Sequence, residues 1–277
     1  MPPAAIYPVP PTSETALLIL VFFLALGGPF YVLVLRPVRG ERTWGLAEMA
    51  AMAVLFILTL PLAASALGIG LPLGLRDLSL VTIVQNALLA GVPAYVAMRR
   101  YGLPAASLGL RADGWPRHAG VGLAAAAVVV GLSVAGEHAA VYLLGLVEGP
   151  QQAALRAAAE HADDPLLPVL GTLSGPGPVA WFFLLVCVVV PVGEEIFFRG
   201  FVYGGLRARW GVPVAVLASA LFFAAVHLQL VHGLPIFLLG VVFAWVYQRT
   251  GSLVPAIVAH GLNNLIAVLS LWRGWGI

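Results

Sequence analysis

The chain has 277 residues, of which 61% are hydrophobic and 9% are charged, whereas about 45–50% and 25% are typical of soluble globular proteins. The net charge of +2 comes from arginines scattered along the chain, which argues against a nucleic-acid-binding surface. The single cysteine, Cys187, excludes a disulfide framework and a multi-cysteine metal site within the chain. Lipid is therefore the expected solvent for most of the molecule.

The composition also indicates the source. Every basic residue is arginine, and alanine, glycine and proline are abundant, as in proteins from GC-rich bacterial genomes. The chain begins MPPAAIYPVPPTSE, which has no positive charge and several prolines, so a cleavable signal peptide is not expected. These features predict a multi-pass protein of the bacterial inner membrane.

A transmembrane helix needs about 20 predominantly apolar residues. The chain contains eight such stretches, although a count of seven stays open. They lie near residues 15–35, 46–70, 78–98, 118–147, 178–209, 212–230, 233–249 and 252–272. We therefore predict an all-α fold, a polytopic integral membrane bundle of about eight transmembrane helices that forms one membrane domain over residues 1–277.

The arginines predict the orientation of the bundle, because basic connections stay in the cytoplasm. With the N-terminus outside, most arginines fall into cytoplasmic connections. These are Arg36, Arg39, Arg42, Arg99, Arg100, Arg111, Arg117, Arg207, Arg209 and Arg249. The outer segments then hold only Arg76, Arg156 and Arg273, so both termini are predicted to face out.

Two connections stand apart from the apolar runs. Residues 101–118 mix apolar, basic and tryptophan residues, which fits either a short interfacial helix or an ordinary loop. Residues 148–176 form the longest polar segment, an outer loop with a helical start and a proline-rich end. This outer loop either gates substrate access or is a plain surface loop. Glu137 and His138 interrupt the preceding helix near the outer interface and are weaker candidates for a role in substrate entry.

Two adjacent glutamates interrupt an apolar run at membrane depth. Counting back from the arginines at the cytoplasmic end, at about 1.5 Å per residue, places Glu194 on the order of 20 Å along the helix. Charged groups are costly there and indicate function. Glu195 lies four residues before Arg199, the favourable order for an ion pair, so Glu194 is left for chemistry. Pro191 and Gly193 can loosen the helix just before the pair.

The next helices carry two histidines at similar depth. His227 follows Phe223 by one turn, and His260 lies four residues before Asn264 on one helical face. Two imidazoles and a carboxylate can activate water, with or without a metal ion. Pumps and proton relays use the same groups, so a proton or ion transporter is one alternative. A non-catalytic membrane scaffold or immunity factor is another.

Three motifs occur in order on successive predicted helices. The chain reads EEIFFR at residues 194–199, FAAVH at 223–227 and HGLNN at 260–264. This set resembles the CPBP (Abi) family of intramembrane proteases, which includes the type II CAAX prenyl protease. The resemblance covers residues 178–272, the predicted protease core, whereas the N-terminal half matches only as generic membrane helices.

The resemblance implies the roles of the site residues. Glu194 and His227 would activate a water for attack on a peptide carbonyl. His260 and Asn264 would stabilise the oxyanion, although Asn263 stays open as the relevant amide. Glu195 and Arg199 correspond to a structural pair, and Phe223 is expected to pack beside His227.

The resemblance also bears on cofactor and substrate. Glu194, His227 and His260 could hold Zn²⁺ with an open position, yet no H-E-x-x-H pairing fixes the geometry, so a metal ion is left open. Prenylated CAAX tails are the eukaryotic substrates of such proteases, and bacteria lack general CAAX prenylation. The expected substrate is therefore a membrane-associated peptide or the hydrophobic tail of a protein.

Overall fold

The computed structural model describes residues 43–54, 69, 73–111 and 113–274. These residues form an all-α bundle, which confirms the predicted fold class. The predicted helix at 15–35 lies outside them, as does most of the predicted helix at 46–70. The count of eight transmembrane helices therefore stays a prediction.

The helices are numbered in chain order over the described residues. They are α1 (Leu46–Val54), α2 (Leu75–Tyr95), α3 (Trp115–Glu148), α4 (Pro150–Ala162), α5 (Leu166–Thr172), α6 (Pro176–Leu184), α7 (Val190–Glu195), α8 (Gly204–Ala225), α9 (Gly233–Thr250) and α10 (Val254–Arg273). Wider π-helical segments continue some of them: Val96–Arg100 after α2, Leu185–Val189 between α6 and α7, and Ile196–Tyr203 between α7 and α8.

Five helical segments of the described residues are long and apolar enough to cross a membrane. They are Leu75–Arg100, Trp115–Glu148, Pro176–Ala225, Gly233–Thr250 and Val254–Arg273. The chain is therefore a multi-pass membrane protein. The third segment contains a sharp bend at Gly211, whose backbone angles (φ 76°, ψ 178°) are accessible to glycine and costly for other residues. Gly211 thus divides the segment where the sequence predicts two helices, 178–209 and 212–230.

The two arms of this segment fold back on each other through an aromatic core. The rings of Phe198 and Phe223 lie 4.9 Å apart between centroids in an edge-to-face arrangement, and those of Phe197 and Phe222 lie 6.3 Å apart. Edge-to-face pairs of this kind are favourable beyond the burial of their surface. The fold therefore brings the glutamates of the first arm close to the histidine that ends the second.

One end of the bundle gathers arginine-bearing segments. Arg100 pairs with Glu48 at 3.2 Å, and the hydroxyl of Tyr101 donates to the same carboxylate at 2.6 Å. Arg207 donates to the side-chain oxygen of Gln248 at 3.1 Å. This clustering agrees with the arginine pattern, while the side of the membrane that the end faces stays a prediction.

Of the two connections singled out in the sequence, only the second is mainly helical. In residues 101–118 the chain forms a 3₁₀ turn, Ala105–Leu108, and Leu108 is fully buried rather than lying at an interface. The amide of Leu253 donates to the carbonyl of Gly109 at 3.1 Å, which ties this connection to the start of α10. The outer loop predicted at 148–176 contains the helices α4 and α5.

Candidate active site

The glutamate pair lies on a short α-helical segment between two π-helical segments. Helix α7 has six residues, and wider turns precede and follow it. Such π turns cluster at functional sites. Pro191 lacks an N–H, so it cannot donate to Val186 in a π pattern or to Cys187 in an α pattern. Both carbonyls are left to face α10.

Helix α10 covers these two carbonyls with residues of the third motif. The side-chain nitrogen of Asn264 donates to the carbonyl of Val186 at 3.0 Å. Gly261 lies directly against the carbonyl oxygen of Cys187, and a Cβ at position 261 would collide with that oxygen. The amide at 264 therefore positions α10 against the π turn, one turn from His260.

The neighbouring Asn263 points elsewhere. Its side-chain oxygen accepts a hydrogen bond from the hydroxyl of Ser133 at 3.0 Å, on the α3 side of α10. Of the two asparagines left open by the sequence, Asn264 is the one directed toward the glutamate-bearing helix.

The ion pair expected from the four-residue spacing is present. Arg199 Nη1 lies 3.1 Å from Glu195 Oε1, and both side chains are essentially inaccessible. The guanidinium also lies over the rings of Phe223 and Phe243, at 4.4 and 5.1 Å from their centroids, and it donates to the carbonyl of Gly240 at 3.4 Å. Cation–π contacts and hydrogen bonds offset the cost of burying a charge.

His260 bridges the two glutamates. Its Nδ1 lies 2.9 Å from Glu195 Oε1, whereas its Nε2 lies 3.9 Å from Glu194 Oε2. The ring is stacked on Phe243 at 5.2 Å. Because the carboxylate of Glu195 accepts the hydrogen of Nδ1, the neutral imidazole presents an unprotonated Nε2 toward Glu194.

Glu194 is the glutamate without a structural partner. Its Oε2 is buried and accepts no hydrogen bond among the described residues, and the distance of 3.9 Å to His260 is too long for one. The side chain is 15% exposed, whereas that of Glu195 is 0% exposed. Glu194 Oε2 and His260 Nε2 are both hydrogen-bond acceptors. A molecule that binds to either atom must therefore donate a hydrogen to it.

His227 reaches the same region from the end of α8. Its Nδ1 lies 2.7 Å from the carbonyl oxygen of Phe223 and donates to it, which leaves Nε2 as the free nitrogen of the neutral ring. The Phe223 ring lies 4.9 Å from the His227 ring and 5.9 Å from the His260 ring. Phe223, expected to pack beside His227, therefore packs against both imidazoles and Arg199.

No three His, Cys, Asp or Glu side chains in the described part of the chain are grouped closely enough to hold a metal ion. His260 Nδ1 is in addition engaged by Glu195. In this arrangement Glu194, His227 and His260 do not form a three-ligand set. The binding of a zinc ion at this site stays a prediction, and the proposed mechanism uses side chains alone.

Asn86 on α2 is a site residue that the sequence interpretation missed. Its side chain is buried and lies against Gly193, the residue before Glu194. The available signal was an asparagine in the middle of an apolar span, where polar residues are costly and indicate function.

A cavity of about 240 Å³ lies beside this region, between α3, α10 and the outer connection. Its polar lining residues are Ser133, Glu137, Glu160, His161, Asp164, Gln229, His232, Asn263 and Ser270. Residues from the 228–232 loop, which follows His227, form part of the wall. The loop begins at Leu228, which has a positive φ of 56° and is 90% exposed.

Glu160 of α4 holds this loop through an arrangement that we call the Glu160 latch. Its carboxylate accepts hydrogen bonds from the amides of Leu230, Val231 and His232 at 2.9–3.3 Å, and His232 Nδ1 lies 3.1 Å away. Burial alone would raise the pKa of Glu160, but these hydrogen bonds hold the pKa below its ordinary value of 4.5. His232 is thus part of the latch.

Replacing Glu160 by Gln is expected to release the 228–232 loop. Hydrogen bonds to a charged group are worth about 1.5–3 kcal/mol, so the hydrogen-exchange protection of the amides at 230–232 should fall by about tenfold or more. Because the folded pKa lies below the unfolded one, the latch stabilises the fold above about pH 4.5 and loses this effect as the pH falls through the folded value.

Glu148 supplies the matched control for the latch. It pairs with Arg156 at 2.7 Å on the same outer side, and within the described part of the chain its hydrogen bonds go to Arg156 and not to the loop. Glu148→Gln should leave the protection of residues 230–232 unchanged. Equal protection in Glu160→Gln and in the unmodified protein would contradict the latch.

Comparison with known proteins gives a family match for the part of the chain that contains this site. Residues 176–266 match the family model described as "Type II CAAX prenyl endopeptidase Rce1-like". The "Putative membrane peptidase YdiL" of Bacillus subtilis (strain 168) is 35% identical over 82 residues, which are 30% of this chain and 34% of the relative. The "UPF0177 protein YxdF" of Lactococcus lactis subsp. lactis (strain IL1403) is 28% identical over 105 residues, which are 38% of this chain and 55% of the relative.

The chain thus spans about half of one curated relative and about a third of the other. No solved structure matches it. The matched residues include all three motifs, both glutamates and both histidines of the site. The resemblance predicted from the motifs is confirmed over residues 176–266, which match the Rce1-like family model.

Proposed function

We propose that the chain is an intramembrane endopeptidase that hydrolyses a peptide bond in a membrane-associated substrate, with a water activated by Glu194. The observation that carries this proposal is the pairing of acceptors at the site. Glu194 Oε2 has no donor among the described residues and faces Nε2 of His260, whose other nitrogen is held by Glu195. A water that gives one hydrogen to Glu194 Oε2 is oriented for the loss of that proton.

In the proposed reaction the carboxylate of Glu194 takes one proton from the water while the water oxygen bonds to the peptide carbonyl carbon. The electron pair of the C=O bond moves to oxygen and forms an oxyanion. Glu194 then gives its proton to the amine nitrogen as the C–N bond breaks. The products are an amine terminus and a carboxylic acid terminus, which loses its proton to water.

The donors for the oxyanion come from His260, His227 and Asn264. Once its Nε2 has taken a proton from solvent, His260 donates from that nitrogen to the oxyanion, and the Glu195 carboxylate at Nδ1 stabilises the charge. The amide nitrogen of Asn264 gives one hydrogen to Val186 and retains a second one. His227 presents Nε2 from α8, where it assists either the water or the oxyanion.

The Glu195–Arg199 pair acts through His260. Glu195 fixes the tautomer of His260 and the direction of its Nε2, and Arg199 fixes Glu195. Both are therefore positioning residues.

The substrate would reach the site from the side of the cavity. The 228–232 loop, which follows His227, forms part of the wall of this cavity, and Glu160 accepts hydrogen bonds from the loop. An extended peptide segment that leaves a membrane or a hydrophobic tail suits a cavity with apolar walls and a polar rim. The name of the matching family refers to prenylated CAAX substrates. For this chain, in a bacterial membrane, we propose a substrate tail that carries no prenyl group.

The test compares peptides in the membrane and medium of cells that produce the unmodified protein or its Glu194→Gln variant at equal levels. We expect fragments of membrane-associated proteins that appear only with the unmodified protein. If the two peptide sets are identical while a cellular phenotype persists in both, the protease proposal fails in favour of a scaffold. A pH-dependent ion flux that Glu194→Gln abolishes, without new peptides, would indicate a transporter.

A further inference from the structure

Asn86 places an unpartnered carbonyl oxygen at membrane depth beside the glutamate pair. The residue lies on α2 and is 7% exposed. Its side-chain nitrogen donates to the carbonyl of Thr82 at 2.9 Å, one turn earlier. Its side-chain oxygen accepts no hydrogen bond among the described residues. A buried acceptor without a donor is unfavourable, and an apolar residue would avoid that cost.

The direction of this oxygen follows from the hydrogen bond to Thr82. Rotating the amide of Asn86 by half a turn would bring its oxygen against the Thr82 carbonyl and set two acceptors against each other. The observed orientation therefore directs the nitrogen along α2 and the oxygen toward α7.

Gly193 permits the close approach of Asn86. The side-chain oxygen of Asn86 stands where a Cβ at position 193 would be, so any larger residue there would collide with it. Glu194 is the next residue, and its Oε2 also accepts no hydrogen bond in the described part of the chain. Two buried acceptors thus come from different helices, one lying against residue 193 and the other on residue 194, and both need hydrogens.

We propose that Asn86 is a further catalytic residue, whose side-chain oxygen accepts a hydrogen bond from the water that Glu194 activates. This inference rests on the proposed function. One hydrogen of the water moves to Glu194 during the attack, and the other stays on the water oxygen and is directed at Asn86. Asn86 gains and loses no proton, so the balance of the reaction is unchanged. Its effect is to aim the lone pair of the water at the peptide carbonyl.

The kinetic test uses two substitutions of similar volume. Asn86→Leu removes the acceptor, and we expect kcat for a cleaved membrane peptide to fall by about tenfold or more, the size of one hydrogen bond in the transition state, with KM unchanged. Asn86→Asp keeps an oxygen at the same place and should retain most of kcat. A structural role in helix packing predicts the opposite order, because Leu suits an apolar interface better than Asp. Full kcat in Asn86→Leu overturns the proposal.

A second measurement does not depend on cleavage. The chain has three asparagines, at positions 86, 263 and 264. Labelling their side-chain carbonyl carbons with ¹³C gives infrared bands, and the band that is missing in Asn86→Leu belongs to Asn86. If Asn86 and Glu194 share a water, Glu194→Leu should shift the Asn86 band to the frequency of a carbonyl without a donor, while Glu137→Leu should not. An unshifted band overturns the shared water. If the unmodified protein cleaves nothing, the proposed function fails, and the band still decides whether the water is shared.

Discussion

Glutamine at position 194 is expected to abolish cleavage without loosening the fold, whereas glutamine at position 195 should damage the fold itself. Glu194 Oε2 takes part in no hydrogen bond of the described residues, so its replacement removes only a general base. The expected fall in kcat is about 10²–10⁴-fold. Glu195 accepts bonds from both Arg199 and His260, so Glu195→Gln leaves a buried guanidinium without its counter-ion.

The measurement combines cleavage of a peptide found in the cellular comparison with thermal unfolding in the same detergent. Each variant replaces one carboxylate by an amide, and the two replaced residues are adjacent in the chain. Each variant is therefore the control for the other. We expect Glu194→Gln to unfold at the temperature of the unmodified protein and Glu195→Gln to unfold at a lower one. Cleavage by Glu194→Gln at the unmodified rate would remove Glu194 from the mechanism.

Local spacing was sufficient to predict part of the site. The four-residue interval between Glu195 and Arg199 fixes their relative direction on any helix, and the structure contains the resulting pair at 3.1 Å. The boundary between the predicted helices 178–209 and 212–230 coincides with the bend at Gly211. Both features depend on geometry within a few residues, which sequence periodicity describes directly.

Other parts of the site depend on contacts between distant segments. Asn86 meets Gly193, and Glu160 meets the 228–232 loop, only because the tertiary fold brings them together. No periodicity in α2 or α4 predicts such partners. The π segments on both sides of α7 also rotate side chains away from ideal helical directions, so the approach of His260 to both glutamates could not be derived from a helical wheel.

Removal of Arg199 should give the largest loss of stability in the molecule. In Arg199→Leu the carboxylate of Glu195 stays buried without its cation, and breaking a buried pair in this way costs about 3–5 kcal/mol. The substitution also removes the contacts of the guanidinium with the rings of Phe223 and Phe243. Reversible unfolding in mixed detergent, followed by tryptophan fluorescence, would measure the loss. Cleavage should fall in parallel because His260 loses the fixed orientation of its carboxylate partner.

The double variant Glu195→Gln/Arg199→Leu distinguishes an unpaired charge from lost packing. If the cost in Arg199→Leu comes from the stranded carboxylate, neutralising Glu195 should restore part of the stability, and the two substitutions should not be additive. Arg207→Leu is the matched control, because Arg207 bonds Gln248 at the exposed end of the bundle and should change stability by no more than about 0.5 kcal/mol. Fully additive losses at 195 and 199 would mean that packing of the guanidinium, rather than the ion pair, stabilises the core around His260.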